Sequence, residues 1–146
     1  MVTYPEPEPG LVISYAFRWS DEAAGGHAEG SKNRPCAIVL VTTPDARIPD
    51  SKRVAVLPIT HTRPQDPDSA IELPEGVKRH LGLDEAQSWV ALDELNMFVW
   101  PGFDLRQIPG QPGRYAYGFL PPRFLDRVRD RLRERRVRGQ IRAIGR

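Results

Sequence analysis

Cysteine is almost absent from the 146-residue sequence, and long apolar runs are missing altogether. The single cysteine, Cys36, excludes an intrachain disulfide and a metal site built from several cysteines. No segment approaches the roughly 18 consecutive apolar residues of a membrane-spanning helix. The first ten residues, MVTYPEPEPG, lack the basic and apolar regions of a secretory signal. We therefore expect one cytoplasmic domain over residues 1–146, with a proline-rich tail at residues 1–9 and no membrane contact.

Acidic residues are scarce near the C-terminal end. Between Arg123 and Arg146, ten arginines stand against three acidic residues, which gives this segment a charge of +7 in a chain whose net charge is +2. The first 122 residues therefore carry a charge of −5. Two interpretations stay open: the basic segment is a solvated helix face, or it contacts an acidic partner or nucleic acid.

Long helices are also scarce, because fifteen prolines and twelve glycines divide the chain into short pieces. Only two segments have helical character. Pro74–Asp84 predicts a helix of about two turns, with Gly82 at its C-terminal end. Residues 121–138 predict an amphipathic C-terminal helix, followed by a basic tail at residues 139–146. Its apolar stripe consists of Leu125, Val128 and Leu132.

The remaining segments predict β-strands. In GLVISYAFRW, smaller side chains alternate with larger ones, as on the two faces of a strand. RPCAIVLV and KRVAVLPITHT are rich in β-branched residues, and SWVALDELNMFVW supplies one or two more strands. Four or five short strands with a helix between the third and the fourth predict a mainly β (α+β) fold, a small and mostly antiparallel barrel. Between Trp19 and Asn33 lies the polar, glycine-rich segment SDEAAGGHAEGSKN, and loops of this length in small domains are usually functional or mobile.

The order of these segments along the chain resembles that of a known protein family. A first strand that begins with glycine leads into a polar loop with an acid, then an Arg-Pro pair, an apolar strand, and a strand that ends LPITHT. From Gly10 to Asn96 this order resembles the PemK/MazF family of toxin endoribonucleases, with an SH3-like barrel and a closing helix. The sequence departs from the family pattern in three ways: no Gln follows the loop acid, Asn96 replaces a basic residue, and the loop before Arg34 is long.

The resemblance implies metal-independent cleavage of single-stranded RNA by attack of the 2′-hydroxyl. Arg34 matches the family's arginine and suits the neutralisation of the crowded phosphorane, while Thr60 matches the strand-end threonine that donates to the scissile phosphate. Asp93 and Glu29 fall where family members carry acids. The general base stays open among Asp93, Glu29 and His61. No cofactor and no metal site is predicted, since the histidines lack ligand spacing with a third donor.

Other side chains are expected to contact the RNA. Phe17 and Trp19, at the end of the first strand, are expected to stack on an unpaired base. His61 should face away from Thr60 unless the strand has already ended, because adjacent strand residues point to opposite faces. The full set of expected RNA contacts is Lys32, Asn33, His61, His27, Phe17 and Trp19.

The resemblance also implies partners. The family pattern predicts a homodimer with a groove shared by the two barrels, and an antitoxin whose acidic, disordered tail fills that groove. The alternative is a non-catalytic toxin of the CcdB type, or a barrel that serves only as a protein-binding module. The feature that separates the two classes is the combination of Arg34 and Thr60, because phosphate chemistry needs both and a binding module needs neither.

Overall fold

The computed structural model describes residues 3–20 and 33–145 and consists mainly of β-strands. The strands are β1 (Leu11–Ala16), β2 (Asn33–Thr42), β3 (Arg53–Thr60), β4 (Ala70–Glu72), β5 (Trp89–Ala91), β6 (Glu94–Val99), β7 (Ala116–Phe119) and β8 (Arg142–Gly145). The helices are α1 (Glu75–Leu81) and α2 (Pro122–Val137). The sequence predicted four or five strands and missed β4, β7 and β8, because these have only three or four residues each and leave almost no periodic pattern.

The strands form one sheet with the order β4-β5-β3-β2-β1-β7, and β6 and β8 extend it beside β3. Along one edge of β3 lies β2; along the other, β6 pairs with Arg53–Val56 and β5 pairs with Ile59 and Thr60. Among the strands of the described residues, β8 alone is parallel to its neighbour, β6. The prediction of a mainly β, antiparallel fold is confirmed. Closure into a barrel is not, because within the described residues β7 pairs only with β1 and the sheet stays open.

Apolar residues cover both faces of this sheet. Alternate residues of the central strands, such as Val12 and Leu57, pack with α1 and α2 in one cluster. The intervening residues pack in a second cluster around Tyr15 and Phe98, whose ring centroids lie 4.6 Å apart. Cys36 belongs to the second cluster and is completely buried, as a small hydrophobic residue. The central strands therefore lie between two apolar clusters.

Helix α1 follows its prediction closely. Val77 and Leu81 are buried, and Gly82 adopts the left-handed conformation (φ 69°) at the C-terminal end. The N–H of Gly82 donates to the carbonyl of Arg79 at 3.1 Å, and the N–H of Leu83 donates to Lys78 at 2.9 Å. These bonds satisfy the last carbonyls of the helix, as is usual where glycine terminates a helix.

Helix α2 begins and ends within one residue of its predicted bounds, but its buried stripe is shifted. Val128 is completely buried as predicted, whereas Phe124 is buried more deeply than Leu125 or Leu132. The predicted basic tail contains a strand, since Arg142–Gly145 forms β8 beside β6. Over residues 3–20 and 33–145, neither helix has the length or the apolar character needed to cross a bilayer.

Candidate functional site

The structure brings Arg34 and Thr60 together at one end of the sheet. Arg34 lies at the start of β2 and Thr60 is the last residue of β3. The two strands pair antiparallel with Cys36 opposite Pro58. Continuing this register by two residues sets Arg34 opposite Thr60, on the same face of the sheet. The predicted juxtaposition of these two side chains is therefore present.

Two open clefts meet at this pair. The Tyr117 cleft has a volume of about 600 Å³ and is lined by Arg34, Thr60, His61, Asp84, Gln111 and Tyr117, among others. The Asp93 cleft has a volume of about 800 Å³ and is lined by Trp19, Arg34, Thr60, Arg63, Asp93 and Arg135, among others. Since both clefts share Arg34, Thr60 and Thr62, these residues form the ridge between them. A chain-like ligand that crosses the ridge would place one unit in each cleft.

The Arg34 side chain is half-buried and carries a charge that no described residue neutralises. Its Cζ lies 5.3 Å from the ring centroid of Trp19, so the guanidinium makes a cation–π contact with the indole ring. Its Nε is inaccessible to water and has no hydrogen-bond partner within residues 3–20 and 33–145. In the same part of the chain, no carboxylate forms an ion pair with it. The arrangement suits a guanidinium whose partner is an external anion.

The Thr60 hydroxyl is oriented by the bend that ends β3. Its Oγ1 accepts a hydrogen bond from the backbone N–H of Thr62 at 3.1 Å. Because this bond uses a lone pair of the oxygen, the hydroxyl proton stays available for donation. Thr60 therefore suits a donor to a phosphate oxygen bound on the ridge.

His61 lies beyond the end of β3, so the alternation of strand faces no longer applies, and it lines the Tyr117 cleft beside Thr60. Both of its ring nitrogens have partners. Nε2 lies 3.0 Å from Oδ2 of Asp84, and Nδ1 lies 3.0 Å from the carbonyl oxygen of Gln87 and 3.1 Å from Oγ of Ser88. With these contacts in place, His61 has no free nitrogen to take a proton from a ribose hydroxyl. This geometry argues for Asp93 over His61 as the base.

Asp93 lines the Asp93 cleft together with Arg34 and Thr60. Within the described part of the chain, its carboxylate takes part in no ion pair or side-chain hydrogen bond. The neighbouring Glu94 differs, since its carboxylate accepts a hydrogen bond from the backbone N–H of Ser20. Asp93 is therefore the carboxylate in this cleft that is free to accept a proton.

The remaining predicted site residues have mixed outcomes. Trp19 lines the Asp93 cleft and Asn33 lines the Tyr117 cleft, so both are placed to meet a ligand. Phe17 is completely buried and packs edge-on against Trp19 at 5.1 Å, which leaves no face for a base. The expectation that Phe17 stacks on RNA is therefore not supported. Instead, the buried Phe17 ring packs against Trp19 and helps to hold it in place. Glu29, Lys32 and His27 lie outside the described residues.

Asn96 explains one departure from the family pattern. It is completely buried, its Oδ1 accepts from the backbone N–H of Arg18 at 2.8 Å, and its Nδ2 donates to the Arg18 carbonyl at 2.8 Å. These two bonds attach β6 to the backbone that follows β1. Asn96 is therefore a structural residue that positions the segment carrying Trp19.

Sequence reasoning missed Tyr117 and Arg135. Arg135 belongs to the basic segment whose role the sequence left open; in the structure it is 7% exposed, lines the Asp93 cleft and donates to the carbonyl of Asp68 at 3.1 Å. Helical periodicity does give a signal for it, because Arg135 lies seven residues after Val128 and three after Leu132, on the same face of α2 as the apolar stripe. Tyr117 lies in a short strand with no motif around it, so only the fold brings it to the site.

Comparison of the sequence with protein-family profiles and with curated proteins finds no significant match. Among the described residues, no group of three or more histidine, cysteine, aspartate or glutamate side chains is arranged to hold a metal ion. The functional interpretation therefore depends on the geometry of the ridge and its two clefts.

Proposed function

We propose that this protein is a metal-independent endoribonuclease of the PemK/MazF type, which cleaves single-stranded RNA and acts as the toxin of a toxin and antitoxin pair. The observation that carries the proposal is the convergence of Arg34 and Thr60 on the ridge between two open clefts. Arg34 presents a charged fork that no described carboxylate neutralises, and Thr60 presents a free hydroxyl proton. Together they suit a phosphodiester that crosses the ridge.

In the proposed reaction, the 2′-oxygen of the ribose forms a bond to phosphorus while the bond from phosphorus to the 5′-oxygen breaks. Asp93 takes the proton of the 2′-hydroxyl, and the departing 5′-oxygen is protonated by a donor at the ridge or by water. Arg34 and Thr60 donate to the phosphate oxygens, whose negative charge increases in the transition state. The products are a 2′,3′-cyclic phosphate and a 5′-hydroxyl.

Single strands suit this site better than duplexes. Trp19 is partly exposed in the Asp93 cleft and offers an aromatic surface to a base that is not paired. The resemblance of the segment order to the PemK/MazF family adds further proposals: an SH3-like barrel, a homodimer whose two sites flank one groove, and an antitoxin with an acidic tail that competes with RNA for Arg34.

The test is to incubate the purified protein with a mixed RNA in EDTA and to map the ends of the products. The expected result is a set of discrete cuts that leave 5′-hydroxyl and 2′,3′-cyclic phosphate ends. The control is the Arg34→Ala variant purified in the same way, which exposes any contaminating nuclease. A requirement for magnesium, 5′-phosphate products, or equal cleavage by the variant would refute the proposal. A folded protein that cuts no RNA would favour the non-catalytic alternative.

A further inference from the structure

Strand β7 contains a β-bulge, and Tyr117 is the bulged residue. Along β1 and β7, Leu11 pairs with Phe119 and Val12 with Gly118, but Ile13 pairs with Ala116. One residue of β7, Tyr117, therefore has no partner on β1. Bulges redirect a side chain and are frequent beside functional sites. Here the redirected side chain is the tyrosine that lines the cleft next to Arg34 and Thr60.

The bulge is held by an arginine and a glycine. The guanidinium of Arg114 donates to the carbonyl of Ala116 and to that of Tyr117, each at 3.1 Å. It also donates to Oε1 of Gln111, on the loop that precedes β7. Gly118 has a φ of 133°, a conformation that other residues rarely adopt. Arg114 thereby fixes Tyr117 and Gln111 as one unit on the same wall of the cleft.

The side chains that line the cleft around Tyr117 are suited to bind a planar, polar group. Tyr117 contributes a half-exposed aromatic ring with a hydroxyl, and Gln111 contributes an amide N–H₂ that the bond from Arg114 leaves free. Asn33, which also lines this cleft, adds a second amide. Burial raises the pKa of the Tyr117 phenol, and the neighbouring Ser14 hydroxyl opposes this only in part, so the phenol keeps its proton at neutral pH.

We infer that the Tyr117 cleft is a nucleobase-recognition subsite, which binds the base of a nucleotide next to the phosphate on the ridge. This inference rests on the proposed ribonuclease function and adds to it the residues that select the base. Stacking on Tyr117 supplies affinity and holds the base in the position where the amides of Gln111 and Asn33 read its edge, so base selection depends on all three side chains. A cleft of about 600 Å³ is large enough for one nucleotide.

The first experiment maps cleavage in an RNA pool that is randomised around the cut. The wild-type protein is expected to prefer particular bases at one position beside the cut. Tyr117→Ala should lose this preference and lower kcat/KM by about ten- to a hundred-fold, the range for one lost stacking contact. Gln111→Ala should weaken the preference without affecting folding, since Gln111 is exposed. The matched control is Phe103→Ala, which removes a 96% exposed ring that lines neither cleft.

The second experiment does not depend on cleavage. The four nucleoside 3′-monophosphates are titrated into the protein while amide chemical shifts are followed by NMR. Shifts at Gln111 and Tyr117 that disappear in Tyr117→Ala support the subsite, even for a protein that cuts no RNA and so contradicts the proposed function. No shifts at these amides would overturn the subsite. A folded Tyr117→Ala or Gln111→Ala variant that cuts RNA with the wild-type base preference would overturn it as well.

Discussion

Replacing Arg34 with alanine should remove most of the activity and little of the stability. In the proposed reaction the guanidinium stabilises charge that develops on the phosphate in the transition state. Loss of one preorganised donor of this kind costs roughly two to three orders of magnitude in kcat. The Arg34→Ala variant should therefore cleave RNA about 100- to 1,000-fold more slowly than the wild-type protein.

The expected change in stability follows from the contacts that Arg34 makes. The substitution loses the contact with Trp19, at 5.3 Å, which is worth about 0.5–1 kcal/mol at a partly exposed site. It also removes an Nε that lacks a hydrogen-bond partner within the described residues, and removing an unsatisfied donor favours folding. The two effects oppose each other. The melting temperature should change by less than about 4 °C.

The assay measures cleavage rate and melting temperature on wild-type protein, Arg34→Ala and Arg34→Lys. Lysine keeps the charge but loses the planar fork and its contact with Trp19, so it should restore less than about a tenth of the lost rate. Full activity in Arg34→Ala would end the assignment of the phosphate to this site. A large fall in melting temperature with a proportional fall in activity would instead give Arg34 a structural role.

Three further substitutions test other parts of the argument. Thr60→Val keeps the β-branched shape and removes the hydroxyl, so cleavage should fall at least tenfold with an unchanged circular dichroism spectrum; unchanged cleavage contradicts the role of Thr60. Asn96→Leu leaves the N–H and carbonyl of Arg18 without partners, which should lower the unfolding free energy by about 2–4 kcal/mol in urea titrations. Phe124→Ala should cost about 3–5 kcal/mol in the same titration, because the ring is buried, whereas the exposed Arg123→Ala should cost almost nothing.

The sequence predicted those parts of the site that follow from where strands begin and end. The Arg-Pro pair marks the start of β2, and LPITHT marks the end of β3. The resemblance to the PemK/MazF pattern supplied Arg34 and Thr60 as site residues, and antiparallel pairing explains their proximity, because the start of β2 lies beside the end of β3. The bounds of helix α1 could also be predicted from the local sequence, because proline and glycine mark its two ends.

The features that the sequence did not predict depend on tertiary packing. The bulge at Tyr117 exists only in relation to the register of β1, so β7 by itself gives no sign of it. Phe17 was expected at the surface because it lies at the end of a strand pattern, yet it continues into the cluster around Tyr15 and Phe98. A strand pattern shows which residues alternate, but it does not show how far the neighbouring strands extend over them.

The two buried cations among the described residues, Lys78 and Arg135, differ from Arg34 in having carboxylate partners, which supports the proposal that Arg34 meets an external anion. Lys78 lies 3.5 Å from Asp84, and Arg135 lies 3.8 Å from Asp66 while donating to the carbonyl of Asp68. A buried charge without a partner destabilises a fold, and in these two places the chain supplies one. Within residues 3–20 and 33–145 it supplies none for the half-buried Arg34 or for the half-buried Arg53, whose Nε atoms are as inaccessible to water as that of Arg135. Of these two arginines, Arg34 lines both clefts and Arg53 lines neither. An arginine held over Trp19 between two open clefts, with its charge uncompensated by the described chain, is complementary to a phosphate that arrives with the substrate.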